Sequence, residues 1–138
     1  MTNHLTTFID AQQFDYETAL AEIKAGRKRG HWMWYIFPQI DGLGYSEMSK
    51  RYAIKDLQEA KEYLQHPLLG KRLIEISTAL LTLYQNDATQ VLGTPDDTKL
   101  RSSMTLFASV PDADEVFEKV LKKYFGGKKD EATLSRLK

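Results

Sequence analysis

Two stretches of this chain carry side chains whose types and spacing suit ligand chemistry. In the first, His31-Trp32-Met33-Trp34-Tyr35-Ile36-Phe37-Pro38-Gln39, four aromatic rings fall within six positions, and both tryptophans of the protein are among them. Aromatic faces stack on a nucleobase or a nicotinamide, and an amide such as Gln39 reads a base edge. Arg27, with Lys28 and Arg29, flanks the rings and can attract phosphate. Gly42 and Gly44 allow close approach of backbone to a ligand. The same rings also suit a core between helices, with the glycines as turns. His31 alone suits a hydrogen-bonded structural group as well as a catalyst.

The second stretch runs from Gly93-Thr94-Pro95-Asp96-Asp97 through Lys99, Arg101, Ser102, Ser103, Met104 and Thr105 to Phe107. On a helix, Asp97, Arg101 and Thr105 share one polar stripe, and Lys99 and Ser103 share another. A helix start offers free N–H groups to an anion. A carboxylate beside it, Asp96 or Asp97, can activate water or steady a positively charged sugar transition state. The alternative is that both aspartates serve the helix dipole and that Asp97 pairs with Arg101 on the surface. Three hydroxyls among Met104, Leu106 and Phe107 dilute an otherwise apolar helix. A shorter third stretch holds Ser46, a helix-capping residue, and Glu47, a dipole partner or an acid. The candidate catalytic residues are thus Asp97, Asp96 and Glu47. The candidate ligand-binding residues are Arg27, His31, Trp32, Trp34, Gln39, Ser46, Lys99, Arg101, Ser103 and Thr105.

The elements that must position these groups are helical. Leu5, Phe8 and Ile9 suggest a short first helix. Tyr16, Ala19, Leu20 and Ile23 mark a second, with Asp15 as N-cap and Gly26 as stop. Pro38, Gly42 and Gly44 exclude a long helix over 31–44, where Met33 to Phe37 can run extended. Ile54, Leu57, Ala60 and Leu64 line the next helix. Pro67 opens another, in which Leu69, Leu73, Ile76, Leu80 and Leu83 repeat by fours and threes; it is expected to be central. A short turn at 88–92 ends at Gly93. Thr94 is expected to cap the following helix, with Pro95 at its first position and Leu100, Met104 and Phe107 facing the core. Val116, Phe117, Val120, Leu121 and Tyr124 form the last long helix, and Leu134 and Leu137 a short tail helix. The expected fold is all-α: a single domain over residues 1–138, with six to eight helices and an irregular aromatic segment at 31–45.

Composition narrows the function classes. A chain of 138 residues with 42% hydrophobic and 28% charged residues is an ordinary globular domain. It has no cysteine, which excludes disulfides, thiolate zinc sites and a cysteine nucleophile. Nineteen basic residues balance nineteen acidic ones, so non-specific nucleic-acid binding is not expected. The basic residues do cluster locally, at 24–31 and at 122–129. No basic start with an apolar run marks a leader in Met1-Thr2-Asn3-His4, and no apolar run approaches the roughly 20 residues that span a bilayer. A cytoplasmic location with no membrane association is expected. His4, His31 and His66 are scattered, so no metal site is expected, and no cofactor. Phosphate-binding G-x-x-x-x-G-K-[ST], dinucleotide G-x-G-x-x-G and G-x-S-x-G turns are all absent.

The run Gly26-Arg27-Lys28-Arg29-Gly30-His31-Trp32-Met33-Trp34-Tyr35-Ile36-Phe37-Pro38-Gln39 resembles the signature of a bacterial family of unknown function, number eighteen-ten in its series. Gly42-Leu43-Gly44, Tyr52-Ala53-Ile54, His66-Pro67-Leu68-Leu69-Gly70 and the run from Asp97 to Phe107 continue the resemblance over residues 5–127. Members are often labelled calpastatin-like, yet such inhibitors are disordered chains, whereas this sequence reads as a folded helical domain. A looser similarity joins segments 46–52 and 93–97 to the helical NADAR superfamily, associated with ADP-ribose and riboside-linked substrates. None of that superfamily's catalytic residues is carried over. These readings imply an enzyme or binder of nucleotide-like or ADP-ribose-like ligands, acting by N-glycosidic hydrolysis if catalytic. The alternatives are a protein-interaction module displaying Trp32, Tyr35 and Phe37, and motifs that only determine the fold.

Overall fold

Apolar residues that recur at three- and four-residue steps form helices because one stripe can then be buried. The computed structural model describes residues 4–137 and holds nine helices among them. These are α1 (His4–Lys24), α2 (Met33–Ile36), α3 (Glu47–Arg51), α4 (Leu57–Gln65), α5 (Leu69–Leu81), α6 (Ala88–Leu92), α7 (Asp96–Ala108), α8 (Val116–Phe125) and α9 (Glu131–Arg136). The described residues form no strand; a single parallel bridge joins Ile40 and Ile54. The fold is all-α, as expected, with two one-turn helices, α2 and α3, raising the count. Residues 1–3, on which the leader reading rests, and Lys138 lie outside the described residues. No helix among the described residues is long and apolar enough to cross a membrane.

Several helix boundaries differ from the sequence reading; Ile54, expected in the helix with Leu57, lies before α4 in the bridge to Ile40, and Leu83 lies beyond the end of α5. The first two expected helices are one continuous α1. Phe14, 82% exposed, sits on its outer face and interrupts the apolar stripe without interrupting the helix. Asp15 is therefore no N-cap; its carboxylate accepts the Tyr35 hydroxyl instead. The segment expected to run extended is the helical turn α2, because Ile36 and Phe37 donate their N–H groups back to Trp32 and Met33 at 3.1 Å. That local pairing satisfies backbone groups that the surrounding core would otherwise strand.

α5 packs against α1, α4 and α8, and α7 packs against α4, α6, α8 and α9. The expected central role of α5 is thus shared with α7, which is buried continuously from Ser102 to Phe107. A helix packed on several sides buries polar as well as apolar positions, which accounts for the hydroxyls of Ser102, Ser103 and Thr105 lying beside its core face. The rings of Phe8, Tyr63, Phe107 and Phe117 run in series through the centre, with centroids 5.3–5.8 Å apart. Gln12, 1% exposed, donates to Tyr35 O at 2.8 Å and to Tyr63 Oη at 3.0 Å, joining α1 to α2 and α4. α5 starts at Leu69 rather than Pro67, because His66 Nδ1 takes the N–H groups of Leu68 and Leu69.

α4 and α5 meet closely at Gly70, where a Cβ would lie 2.0 Å from the Leu64 carbonyl oxygen. Backbone cannot yield as a side chain can, so overpacking there reaches the upper part of its usual range, about 3 kcal/mol. Gly70→Ala is expected to lower the melting temperature by roughly 10 °C, whereas Lys71→Ala, on the exposed neighbouring position, leaves it nearly unchanged. Thermal denaturation followed by circular dichroism checks both.

Candidate functional site

The segment leading into α2 is shaped by one carboxylate. Glu22 Oε1 accepts the N–H groups of Arg29 (2.7 Å) and Gly30 (3.0 Å) and the Trp32 indole N–H (2.9 Å). Burial opposes charge on Glu22, but these donors and nearby Lys28 outweigh it and hold its pKa below the usual carboxylate range. Gly30 is required here, since a Cβ would lie 2.9 Å from Trp32 Cδ1. Trp32 is only 2% exposed and packs near Phe37. Its ring is therefore core, not a stacking platform. Tyr35 and Phe37 are also buried, so the expected protein-contact patch of Trp32, Tyr35 and Phe37 does not form. Arg27 borders a shallow depression on α1 with Glu17 and Arg29, and His31 is exposed away from it.

Trp34 faces elsewhere. It lines a cleft of about 340 Å³ between the 39–52 segment on one side and α7 with α9 on the other. Gln39, Tyr52, Lys99, Ser102 and Asp130 share its walls. The aromatic segment and the α7 helix thus meet at one cavity. Lys99 Nζ sits 3.6 Å from the centroid of the Trp34 ring, a cation–π contact. The same ammonium lies 3.3 Å from Asp96 Oδ1, and Lys28 Nζ lies 2.9 Å from Asp96 Oδ2. Two lysine side chains, 9% and 18% exposed, therefore share one carboxylate. The Gln39 side-chain amide has no hydrogen-bond partner among the described residues, and its backbone carbonyl accepts Ile54 N–H at 2.8 Å.

The remaining candidates take other places. Asp97 accepts the Thr89 hydroxyl (2.6 Å), the Thr94 hydroxyl (3.1 Å) and the Thr98 N–H (2.8 Å). Burial opposes its charge, but these hydrogen bonds outweigh it and hold the pKa below the usual aspartate value. Thr94 spends its hydroxyl on Asp97 rather than capping the helix, and α7 begins at Asp96, after Pro95. Arg101 does not pair with Asp97: its Nη2 lies 3.7 Å from Asp130 Oδ1, and it borders a neighbouring depression with Asp97 and Tyr124. Ser103 and Thr105 are fully buried, which withdraws both from contact with a ligand. Thr105 Oγ1 donates to the Arg101 carbonyl and accepts the Asp130 N–H. Ser46 caps α3 by accepting Ser49 N–H at 3.1 Å, and Glu47 is exposed in the first turn of α3, outside the cleft walls.

Asp130 was not singled out in the sequence. Its Oδ2 accepts from Thr133 Oγ1 (2.6 Å), Thr133 N–H (3.0 Å) and Ser102 Oγ (3.2 Å). Two of the three hydroxyls that dilute α7, those of Ser102 and Thr105, thus anchor the turn into α9. The available signals were those unexplained hydroxyls and the capping pattern of Asp130 with Thr133. Arg136 on α9 donates to Gly42 O at 3.0 Å, and its guanidinium fills the space a Cβ at Gly42 would need. Gly42 accommodates that arginine rather than a ligand. Among the described residues no group of three or more His, Asp or Glu could hold a metal.

Because the Asp97 pKa is lowered on folding, its ionised form contributes stability that is fully present above the unfolded value, about 4. That contribution is lost as pH falls through the lower folded value. Asp97→Asn is expected to be less stable than the wild type at pH 7, with the difference narrowing below about pH 4. Thermal melts between pH 2.5 and 7 check this.

A family model described as "Protein of unknown function (DUF1810)" matches residues 2–137. No curated protein matches the chain. Among solved structures, the chain is similar to the conserved hypothetical protein Rv1873 from Mycobacterium tuberculosis. The two are 47% identical, with a TM-score of 0.94 over 96% of this chain and 95% of that one. Neither match extends the likeness to the NADAR superfamily. With nearly its whole length matched and its signature residues in place, the chain belongs to the DUF1810 family, whose function is unknown.

Proposed function

We propose that this protein binds a small nucleotide-like anion in the cleft between Trp34 and α7. The observation that supports this reading is the charge at the Trp34 wall. Lys28 and Lys99 share the carboxylate of Asp96, and Lys28 also lies near Glu22, so Lys99 is the ammonium with only a shared partner in this largely covered setting. Such a charge is costly unless an anion meets it. Lys99 is the lysine of the pair that lines the cleft. The edge of the Trp34 indole and the free Gln39 amide line the same walls, and the amide suits a polar edge of a ligand. The volume lies at the low end of ligand pockets, roughly 300–1,000 Å³, which favours one mononucleotide over a dinucleotide.

Hydrolysis of an N-glycosidic bond needs a carboxylate free to hold or activate water. Of the three candidate catalytic carboxylates, Asp96 is shared by two lysines, Asp97 is engaged by three hydrogen-bond donors and Glu47 lies outside the cleft walls, so binding is the part of this reading with physical support. The buried aromatic core argues against the calpastatin-like label, since a disordered inhibitor has no such core.

A thermal-shift titration with AMP, ADP-ribose and NAD tests the reading, because a ligand that binds only the folded state raises the melting temperature. AMP is expected to give the largest shift per concentration. Lys99→Met keeps the stem but removes the charge and is expected to weaken AMP binding by tenfold or more, the equivalent of one charge-assisted hydrogen bond of about 1.5–3 kcal/mol. No shift with any of the three at 10 mM would overturn the reading.

A further inference from the structure

We infer that Asp130 is the second pole of this cleft and selects ligands that present hydrogen-bond-donating hydroxyls, not a second anionic group, alongside the anion held at Lys99. The inference rests on the reading of the cleft as an anion site. Asp130 lines the same cavity as Lys99, and its carboxylate is 17% exposed. An ionised carboxylate has about four acceptor positions. Oδ2 takes three donors, whereas the nearest cation to Oδ1 is Arg101 Nη2 at 3.7 Å, beyond hydrogen-bond distance. One oxygen of a largely covered carboxylate is thus left with acceptor capacity.

The spacing is set by α7. Lys99 and Ser102 are three residues apart on one helix, which separates their Cβ atoms by roughly 5–6 Å. Asp130 Oδ2 lies 3.2 Å from Ser102 Oγ, one turn on from Lys99, while the Lys99 ammonium reaches back to Asp96, so the two charges stand at separate places on the wall of one cavity. Thr105 fixes it from below by accepting the Asp130 N–H at 2.9 Å. A ligand seated on Lys99 through a phosphate therefore brings its next few atoms beside a fixed negative charge. In a ribose 5′-phosphate unit those atoms carry the vicinal hydroxyls, which are donors. A phosphate in the same place meets like charge at short range and is repelled.

Isothermal titration calorimetry with AMP, 2′,3′-dideoxy-AMP and adenosine 3′,5′-bisphosphate tests this on the wild type, Asp130→Asn and Asp130→Ser. Asn and Ser are both good helix N-caps, so α9 keeps its start, and circular dichroism melts verify folding. The wild type is expected to bind AMP at least tenfold more tightly than either analogue. Asp130→Ser is expected to reduce the preference for AMP over the dideoxy analogue to less than threefold, and both variants to bind the bisphosphate more tightly than the wild type does. Wild-type preferences that persist unchanged in both variants would overturn the role of Asp130 while leaving the anion site standing. Equal wild-type affinity for all three ligands would do the same. If no nucleotide binds the wild type, the anion site and this inference fall together.

Discussion

The shared carboxylate of Asp96 is the interaction on which the site depends. It joins Lys28, from the segment between α1 and α2, to Lys99, one turn into α7. Without it, two ammonium groups would face the same wall with no carboxylate between them. With it, Lys99 is held over the indole of Trp34, and the gap that remains is the cleft. The same sharing leaves Lys99 only partly compensated on its cleft side. Structure and proposed function therefore have one source.

The signature run around the tryptophans divides into scaffold and site. Glu22 gathers the N–H groups of Arg29, Gly30 and the Trp32 indole, which turns the chain sharply after α1. Gly30 and Trp32 belong to that turn and to the core. Lys28 and Trp34, from the same run, belong to the cleft wall. On the opposite side, Ser102 and Thr105 hold Asp130, and Arg136 ties α9 to the 42–44 turn. The cleft is thus built from segments far apart in the chain and braced from both ends.

Much of the fold was legible because amphipathic helices announce themselves. The residues of α4, α5 and α8 appear in the sequence at the spacing they keep in the structure. Trp32 and Trp34 show where legibility stops. In an extended segment, residues two apart share a face; in a helical turn they lie about 200° apart. The chain takes the helical turn, so one indole enters the core and the other reaches the cleft. Residue type could not separate them, since both are tryptophan within one aromatic run. Asp130 was hidden for a different reason. Its partners Ser102 and Thr105 lie 28 and 25 residues earlier, and nothing local marks the pairing. The hydroxyls on α7 were visible as an anomaly, but only the docked α9 gives Ser102 and Thr105 a partner outside their own helix. Asp96 and Asp97 illustrate the same limit, being adjacent and alike in type but committed to different partners on different sides of α7.

The chain has two tryptophans, one in the core and one in the cleft, and this gives a direct test of the central claim. A two-dimensional proton–nitrogen NMR spectrum resolves their two indole N–H signals, which Trp32→Phe and Trp34→Phe variants assign. On titration with AMP, the Trp34 signal is predicted to move saturably while the Trp32 signal, bonded to Glu22, stays in place. A Trp34 signal that does not move at saturating millimolar AMP, or equal movement of both signals, would contradict the account.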